Sequence, residues 1–374
     1  MLGPVFTLDY EIHGNGDGCP FDLMVEPTKR MLDLFDRYGA KLTIMADIAE
    51  ILKFREYRNQ LGRDDYHFEA IAEQLRDSVR RGHDVQLHIH SSFFNAKHEN
   101  GRWIQNWAEY NFAGLSLNRL REVIALGKNF LESLLQPVLP EYRCYVFRAA
   151  NWSVSPSKNV VRALIDNGIK IDTSVFKYGQ RSGLVNFDYS GAFSALLPWK
   201  VDENDICSAN DSGRLLEFPI YCENRWLGAF LTPQRIQRAC MTRRHRVANS
   251  MGDAPAPIAR PATHGGRKKL SRLLGRSAWK ADFNQCSGRQ LIGALKRAEG
   301  QINSTPARVP FVLIGHSKSF TPLNSWSLRP FLAFVREHPE RFWFAKFNDF
   351  DAPGGAGNPT DVAASVNGKC LSAA

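Results

Sequence analysis

Two histidines, His88 and His90, close the stretch GHDVQLHIH at residues 82–90. Val85, Leu87 and Ile89 alternate with Gln86, His88 and His90, the period of two of a β-strand, so both imidazoles project from one face at the strand's end. Neutral imidazole is the commonest metal ligand, and two on one face need only a carboxylate and a water to complete a hydrolytic site of the zinc type. The same spacing also suits the polar face of an edge strand, so the pair needs support from elsewhere in the chain. Asp9 and Glu11, two positions apart, follow the β-prone run Val5-Phe6-Thr7-Leu8, and the glycine-rich loop HGNGDGCP comes next. His316 likewise ends an apolar run, 311–314, in the turn Gly315-His316-Ser317-Lys318.

The elements that must position these residues alternate in type. Residues 27–38 show helical spacing, with Met31, Leu32, Leu34 and Phe35 on one side and Gly39 as a stop, and a strand over 41–45 follows. A helix over 68–81, closed by Gly82, feeds the histidine strand. Then come a helix over 117–135, a strand at 145–148, a helix over 157–167 closed by Gly168, and a strand over 169–172. Such alternation with short connections predicts a parallel sheet or barrel whose functional groups sit at the carboxyl ends of the strands. Between 187 and 221 Gly, Asp, Asn and Ser interrupt short β-like runs, of which 215–219 is the clearest, and a hairpin or lid is expected there. Helices over 288–302 and 327–337 and strands over 311–314 and 342–347 complete the order.

At 374 residues, 44% of them hydrophobic, the chain can bury a sizeable core. The start, MLGPVFTLDYE, has neither a basic nor an apolar leader segment, and no run of about eighteen apolar residues occurs, so a cytoplasmic location is expected. Seven scattered cysteines without a CxxC pair read as reduced thiols. The net charge of +10 is concentrated: residues 235–280 hold twelve Lys and Arg against the single acid Asp253, and the remainder is nearly neutral. This segment is rich in Pro, Gly and Ala and poor in core formers, so 233–282 is expected to be a basic, disordered insertion in one domain spanning 1–351, with 352–374 a disordered tail. Such an insertion suits contact with an anionic membrane surface or acidic glycan. The near-neutral remainder argues against nucleic acid as the partner.

Taken together, the strand ends offer Asp9, Glu11, His88, His90, Arg148, Asp172 and His316, and this set resembles the polysaccharide deacetylases of the NodB-homology type, carbohydrate esterase family 4. Thr7-Leu8-Asp9, with Glu11 displaced by one, corresponds to that family's T-F-D-D motif, and MLDLFDRYGAKLTIM echoes the helix and strand that follow it. GHDVQLH aligns with the family's GHEIGNH, although the family's second metal histidine falls on Ser92, for which His90 is the substitute. Phe147-Arg148-Ala149-Ala150-Asn151-Trp152 matches the arginine-plus-aromatic motif, Asp172 the aspartate motif, and Ile314-Gly315-His316 the L-x-H motif.

The resemblance implies an α/β fold, a distorted (β/α)7-type barrel, and a metal-dependent hydrolase removing an N-acetyl or N-formyl group from an amino sugar of a polysaccharide or glycolipid precursor. It assigns Asp9 as base, Glu11, His88 and His90 as ligands of a divalent metal, zinc by preference, and His316 as the acid. The two carboxylates could exchange roles without altering the strand geometry. Arg148 would orient the base and Asp172 would keep His316 protonated. Trp152, Phe93 and Trp107, with Phe94 and Trp103 nearby, could offer aromatic faces to sugar rings, or equally pack in the core. The alternative function is a catalytically inactive carbohydrate-binding descendant of the same fold.

Overall fold

Strands buried on both faces tolerate no polar edge, and Leu2–Tyr10 (β1) and Leu42–Asp47 (β2) are buried at every position. The computed structural model describes residues 1–12, 14, 16–248, 275–302 and 308–350. Between β1 and β2 runs the helix Glu26–Tyr38 (α1), whose buried Met31, Leu32, Leu34 and Phe35 form the expected stripe. It stops at Gly39, whose φ of 70° lies in the left-handed region that a side chain would strain. Helix Ile48–Leu61 (α2) follows β2 without a loop, because the Asp47 carboxylate caps its first turn by accepting from the Ala49 N–H. Sequence periodicity had not marked α2. Helix Phe68–Arg80 (α3) leads into Asp84–Ile89 (β3), then Leu117–Leu135 (α4), Val146–Ala149 (β4), Ser157–Asp166 (α5) and Ile171–Asp172 (β5).

The middle of the chain supplies Trp199–Asp202 (β6), Asp205–Ala209 (β7), Leu216–Glu217 (β8) and Cys222–Trp226 (β9). Helix Pro233–Ala248 (α6), strand Arg276–Lys280 (β10), helix Gly288–Ile302 (α7), strand Val309–His316 (β11) and helix Pro322–Glu337 (α8) complete the order. The main sheet runs β7-β6-β8-β5-β4-β3-β2-β1-β11, and every neighbouring pair from β8 to β11 is parallel. β6 and β7 form the expected hairpin, whereas the 215–219 run joins the parallel set as β8.

Seven parallel strands curl until their two ends meet. Beyond β8 the Phe218 N–H donates to Asp172 O and the Ile220 N–H to Val175 O, and Ile220 then bridges Val312 of β11. The Tyr221 N–H donates to Val312 O at 3.0 Å. Nearer the carboxyl end of β11, residues 281–283 take over: Ile314 N–H donates to Ala281 O and Phe283 N–H to Ile314 O. The α/β barrel is therefore distorted, closed along one side by two irregular segments instead of a ladder. Gly315 is required at this seam, since a Cβ there would lie 2.0 Å from the Phe283 ring.

Two expectations need correction. Residues 342–347 are not a regular strand: Phe342 makes one bridge to Leu2, and the Trp343 and Ala345 N–H groups reach Leu2 O and Pro4 O before the chain turns away. The segment expected to be a basic insertion begins in α6 and ends in β10, an ordered hairpin partner of β9 with Trp279 buried. Residues 249–274 and the tail from 351 lie outside the described residues. The six described cysteines are free, and no helix among the described residues is long and apolar enough to cross a membrane.

At the opposite end of the barrel His83 is 2% exposed. Its Nδ1 accepts the Leu42 N–H at 3.2 Å and its Nε2 lies 3.0 Å from Asp36 Oδ1, so the neutral ring joins β2 to α1. Burial, only partly offset by Asp36, holds its pKa at about 4. The unfolded chain therefore takes up a proton that the native ring refuses. Stability contributed by neutral His83 is full above about pH 6.5 and falls as pH drops toward 4, by at most about 3 kcal/mol. Urea unfolding at pH 7 and pH 5 should show this loss, and His83→Gln should flatten it.

Candidate active site

Parallel register sets the chemistry of the barrel's carboxyl end. Asp9 of β1 pairs with His316 of β11 on one side and Met45 of β2 on the other, while Asp47 pairs with His88, and His88 with Arg148 of β4. Five adjacent strands thus deliver their polar residues to the same end of the barrel, Asp47, His88 and Arg148 two residues further along than Asp9 and His316, with Glu11 and His90 just beyond their strand ends.

Glu11 is the hub. Its Oε2 lies 3.1 Å from His88 Nε2 and 2.7 Å from His90 Nε2, and all three residues are at most 8% exposed. His88 Nδ1 is 2.8 Å from Arg148 O, and since a carbonyl can only accept, that nitrogen carries the proton. In a neutral ring this leaves the Nε2 lone pair facing a carboxylate oxygen, an arrangement that requires a proton or a cation between them. Burial opposes charge on His88, but the hydrogen bond to Glu11 and the charges of Asp9, Glu11 and Asp47 prevail and raise its pKa to about 9. The donor atoms of Glu11, His88 and His90 lie within 4.8 Å of one another, so this carboxylate and two imidazoles fit a divalent cation. Glu11 Oε1 meanwhile receives Lys318 Nζ at 2.6 Å, and the same ammonium donates to Ile12 O at 2.7 Å.

Asp9 belongs to a second set. The fully buried Arg148 donates from Nη1 to Asp9 Oδ1 at 2.7 Å, and it is fixed by Nε on Thr173 O at 2.9 Å and Nη2 on Thr173 Oγ1 at 3.3 Å. Burial alone would raise the Asp9 pKa, yet Arg148, His88 and His316 together hold it below the ordinary carboxylate value. His316 Nε2 lies 3.6 Å from Asp9 Oδ2. The His316 backbone N–H donates to Asn284 Oδ1, and its Nδ1 has no hydrogen-bond partner among the described residues. Burial lowers the His316 pKa to about 4 despite the nearby acids, so the resting ring is neutral.

Several expected partners lie elsewhere. Asp172 accepts from the Ser174 N–H and Oγ at 3.1 and 2.8 Å and neighbours Glu217, so it closes a local turn and does not hold His316. The carboxylate beside His316 is Asp9. Phe93 is wholly buried and cannot stack on a sugar. Trp107 is half-buried with its ring 5.0 Å from that of Tyr110. Trp152 stays half-buried with φ of 56°, and Lys280 Nζ stands 3.5 Å from its ring centroid, covering one face. Ser92 Oγ donates to Gln105 Oε1 at 2.7 Å, and it is His90 that meets Glu11.

Sequence reasoning missed Asp47, Glu50, Lys280 and Lys318. Asp47 Oδ1 accepts the His90 N–H at 3.1 Å, and Glu50 Oε2 accepts the Ile12 N–H at 2.9 Å, so both acids brace the loops that carry the ligands. Asp47 Oδ2 and Glu50 Oε1 are buried without a hydrogen-bond partner among the described residues, and with His90 these acids form a second close group of donor atoms. Burial raises the pKa of both acids. Their signal was available: an acid ends β2, and a second follows one helical turn later.

Because Arg148 and Asp9 compensate each other inside the barrel, removing one partner strands a buried charge. Arg148→Met should cost about 3–5 kcal/mol in urea unfolding, and Arg148→Met combined with Asp9→Leu should recover much of that loss.

No family model matches the chain, and no curated protein matches it. Among solved structures, a putative polysaccharide deacetylase from Mycobacterium smegmatis is similar at a TM-score of 0.47 and 13% identity over 99% of this chain and 91% of that one. A probable polysaccharide deacetylase from Pseudomonas aeruginosa PAO1 gives 0.43 and 16% over 93% and 89%. A GH57-type branching enzyme from Pyrococcus horikoshii gives 0.48 and 12% over 95% and 71%. All three likenesses fall below a TM-score of 0.5 and 25% identity, so the chemistry of this site rests on its own residues.

Proposed function

We propose that the chain is a metal-dependent hydrolase that removes an N-acetyl or N-formyl group from an amino sugar. One observation carries this reading: a carboxylate with two imidazoles, Glu11, His88 and His90, stands beside an arginine-held aspartate and a histidine, Asp9, Arg148 and His316. Glu11 Oε2 and the Nε2 atoms of His88 and His90 would hold the cation, and this nitrogen-rich donor set favours zinc. When bound, such an ion lowers the pKa of water and polarises a carbonyl.

The remaining steps belong to the protein. Asp9, kept ionised by Arg148, accepts a proton from the attacking water as the water oxygen bonds to the acyl carbon. The amide C–N bond then breaks, and the departing nitrogen needs a proton. His316 is neutral at rest, and Asp9 Oδ2 at 3.6 Å is the nearest store from which it can be charged. His316 passes that proton to the amine, so acid and amine leave with charge balanced. Half-buried Trp152, with Lys280 over one face, and half-buried Trp107 would supply aromatic surface to the sugar.

A second reading has its own support. Lys318 already places an ammonium on Glu11, and a protonated His88 would satisfy the other oxygen, as a metal-free carbohydrate-binding descendant requires.

Release of acetate or formate from N-acylated amino sugars, with and without chelator, separates the two. The hydrolase reading expects stoichiometric metal in the purified protein, loss of that metal in His88→Ala, and a rate reduction on the order of 10²–10⁴ in Asp9→Asn. Turnover indifferent to chelator and to His88→Ala would sink the metal mechanism. Sugar binding without metal or turnover would favour the descendant.

A further inference from the structure

Beside the site, the chain from β9 into α6 exposes apolar side chains that it could have buried. Trp226, Leu227, Leu231 and Ile236 are 54%, 46%, 76% and 62% exposed, and all fall within eleven residues. The other exposed large apolar side chains of the described residues are scattered through the sequence. Arginines border this patch: the Arg276 guanidinium lies 5.3 Å from the Trp226 ring centroid, and that of Arg235 lies 4.6 Å from the Phe230 ring.

The patch is fastened to the catalytic rim. Thr232 Oγ1 donates to Gln285 O and Gln234 Nε2 to Ser327 Oγ, while Arg238 Nη1 lies 3.6 Å from Asp282 Oδ2. Two residues further on, Asn284 holds the backbone of His316. The apolar face and the barrel's carboxyl end are therefore joined by direct side-chain contacts.

We propose that this patch docks the protein on an anionic membrane surface. Leu231 and Ile236 would enter the acyl boundary, with Trp226 and its bordering arginines at the level of the headgroups. Charge complementarity selects this occupant. Arg235 and Arg276 border the patch, and the sequence that joins them, 236–275, adds nine Lys and Arg against one acid, a charge that an anionic leaflet attracts. A nucleic acid would use the same positive charge but would leave Leu231 and Ile236 without a role. Docking here would hold the barrel's carboxyl end close to the bilayer through the contacts of Thr232, Gln234 and Arg238, so the N-acylated amino sugar is one carried on a lipid. That last step rests on the hydrolase reading; the docking does not.

The test is co-sedimentation of the full chain with vesicles of phosphatidylcholine alone or mixed with phosphatidylglycerol. Partition onto the anionic vesicles is expected to exceed that onto neutral ones at least about ten-fold and to fall with added salt. The double variant Leu231→Glu with Ile236→Glu alters only exposed side chains. It should lose about ten-fold in partition while keeping its circular dichroism and its turnover of a soluble N-acylated amino sugar. The vesicle-induced blue shift in tryptophan emission should diminish in Trp226→Phe. No partition, or equal partition by the double variant, would overturn the proposal, as would binding only to heparin or single-stranded DNA. Vesicle binding without any deacylation would leave the docking standing and remove the hydrolase reading instead.

Discussion

Negative charge buried at one end of an apolar barrel must be balanced where it stands, and the carboxyl end of this barrel is organised by that requirement. Asp9, Glu11, Asp47 and Glu50 are each at most 4% exposed. Asp9 is met by Arg148, and Glu11 by Lys318 and two imidazoles. Of these four, Asp47 and Glu50 have no cationic partner of their own among the described residues, and theirs are the pKa values that burial raises. An uneven supply of compensating charge therefore separates a carboxylate held ionised from acids that serve mainly as acceptors for backbone N–H groups. Arg148 serves both sets, since its guanidinium holds Asp9 while its carbonyl orients the ring of His88.

Much of this was legible in the sequence because parallel strands place chemistry at their ends, and an end can be read wherever an apolar run stops at a polar residue. Asp9, His88, Arg148 and His316 were found that way. Helix α2 was not, and the reason is physical. Its buried face contains Glu50 between Ala49 and Ile51, so the residue that serves the site also blurs the apolar stripe that would have announced the helix. Asp47 went unseen with it, since the strand signal was read only as far as Met45.

The misplaced residues share a different cause. Asp172 also stands at a strand end, but the N–H and hydroxyl of Ser174, two residues on, both donate to its carboxylate, which is thereby engaged locally and not at His316. Phe93 follows the histidines closely in sequence, yet a short 3-10 turn at Ser91–Phe93 rotates it inward. Sequence distance from a ligand does not decide which way a side chain faces after a turn. The basic segment was judged by average composition, which hid the two elements at its borders. Trp279 and Lys280 lie in its last strand, one buried in the core and the other over the ring of Trp152.

The side on which the barrel closes gives the fold a degree of freedom that a complete ring would lack. Six parallel ladders fix the relative heights of seven strands, and with them the positions of the polar groups at their carboxyl ends. Between β8 and β11, however, only a few backbone hydrogen bonds at Tyr221, Ala281 and Phe283 complete the circle. Chain inserted between Tyr221 and Ala281 can change in length, charge or shape without shifting any ladder by a residue. The wall beside His316 is thus open to variation while the opposite wall is locked, so the surroundings of His316 can change with Asp9, Glu11, His88 and His90 left in place.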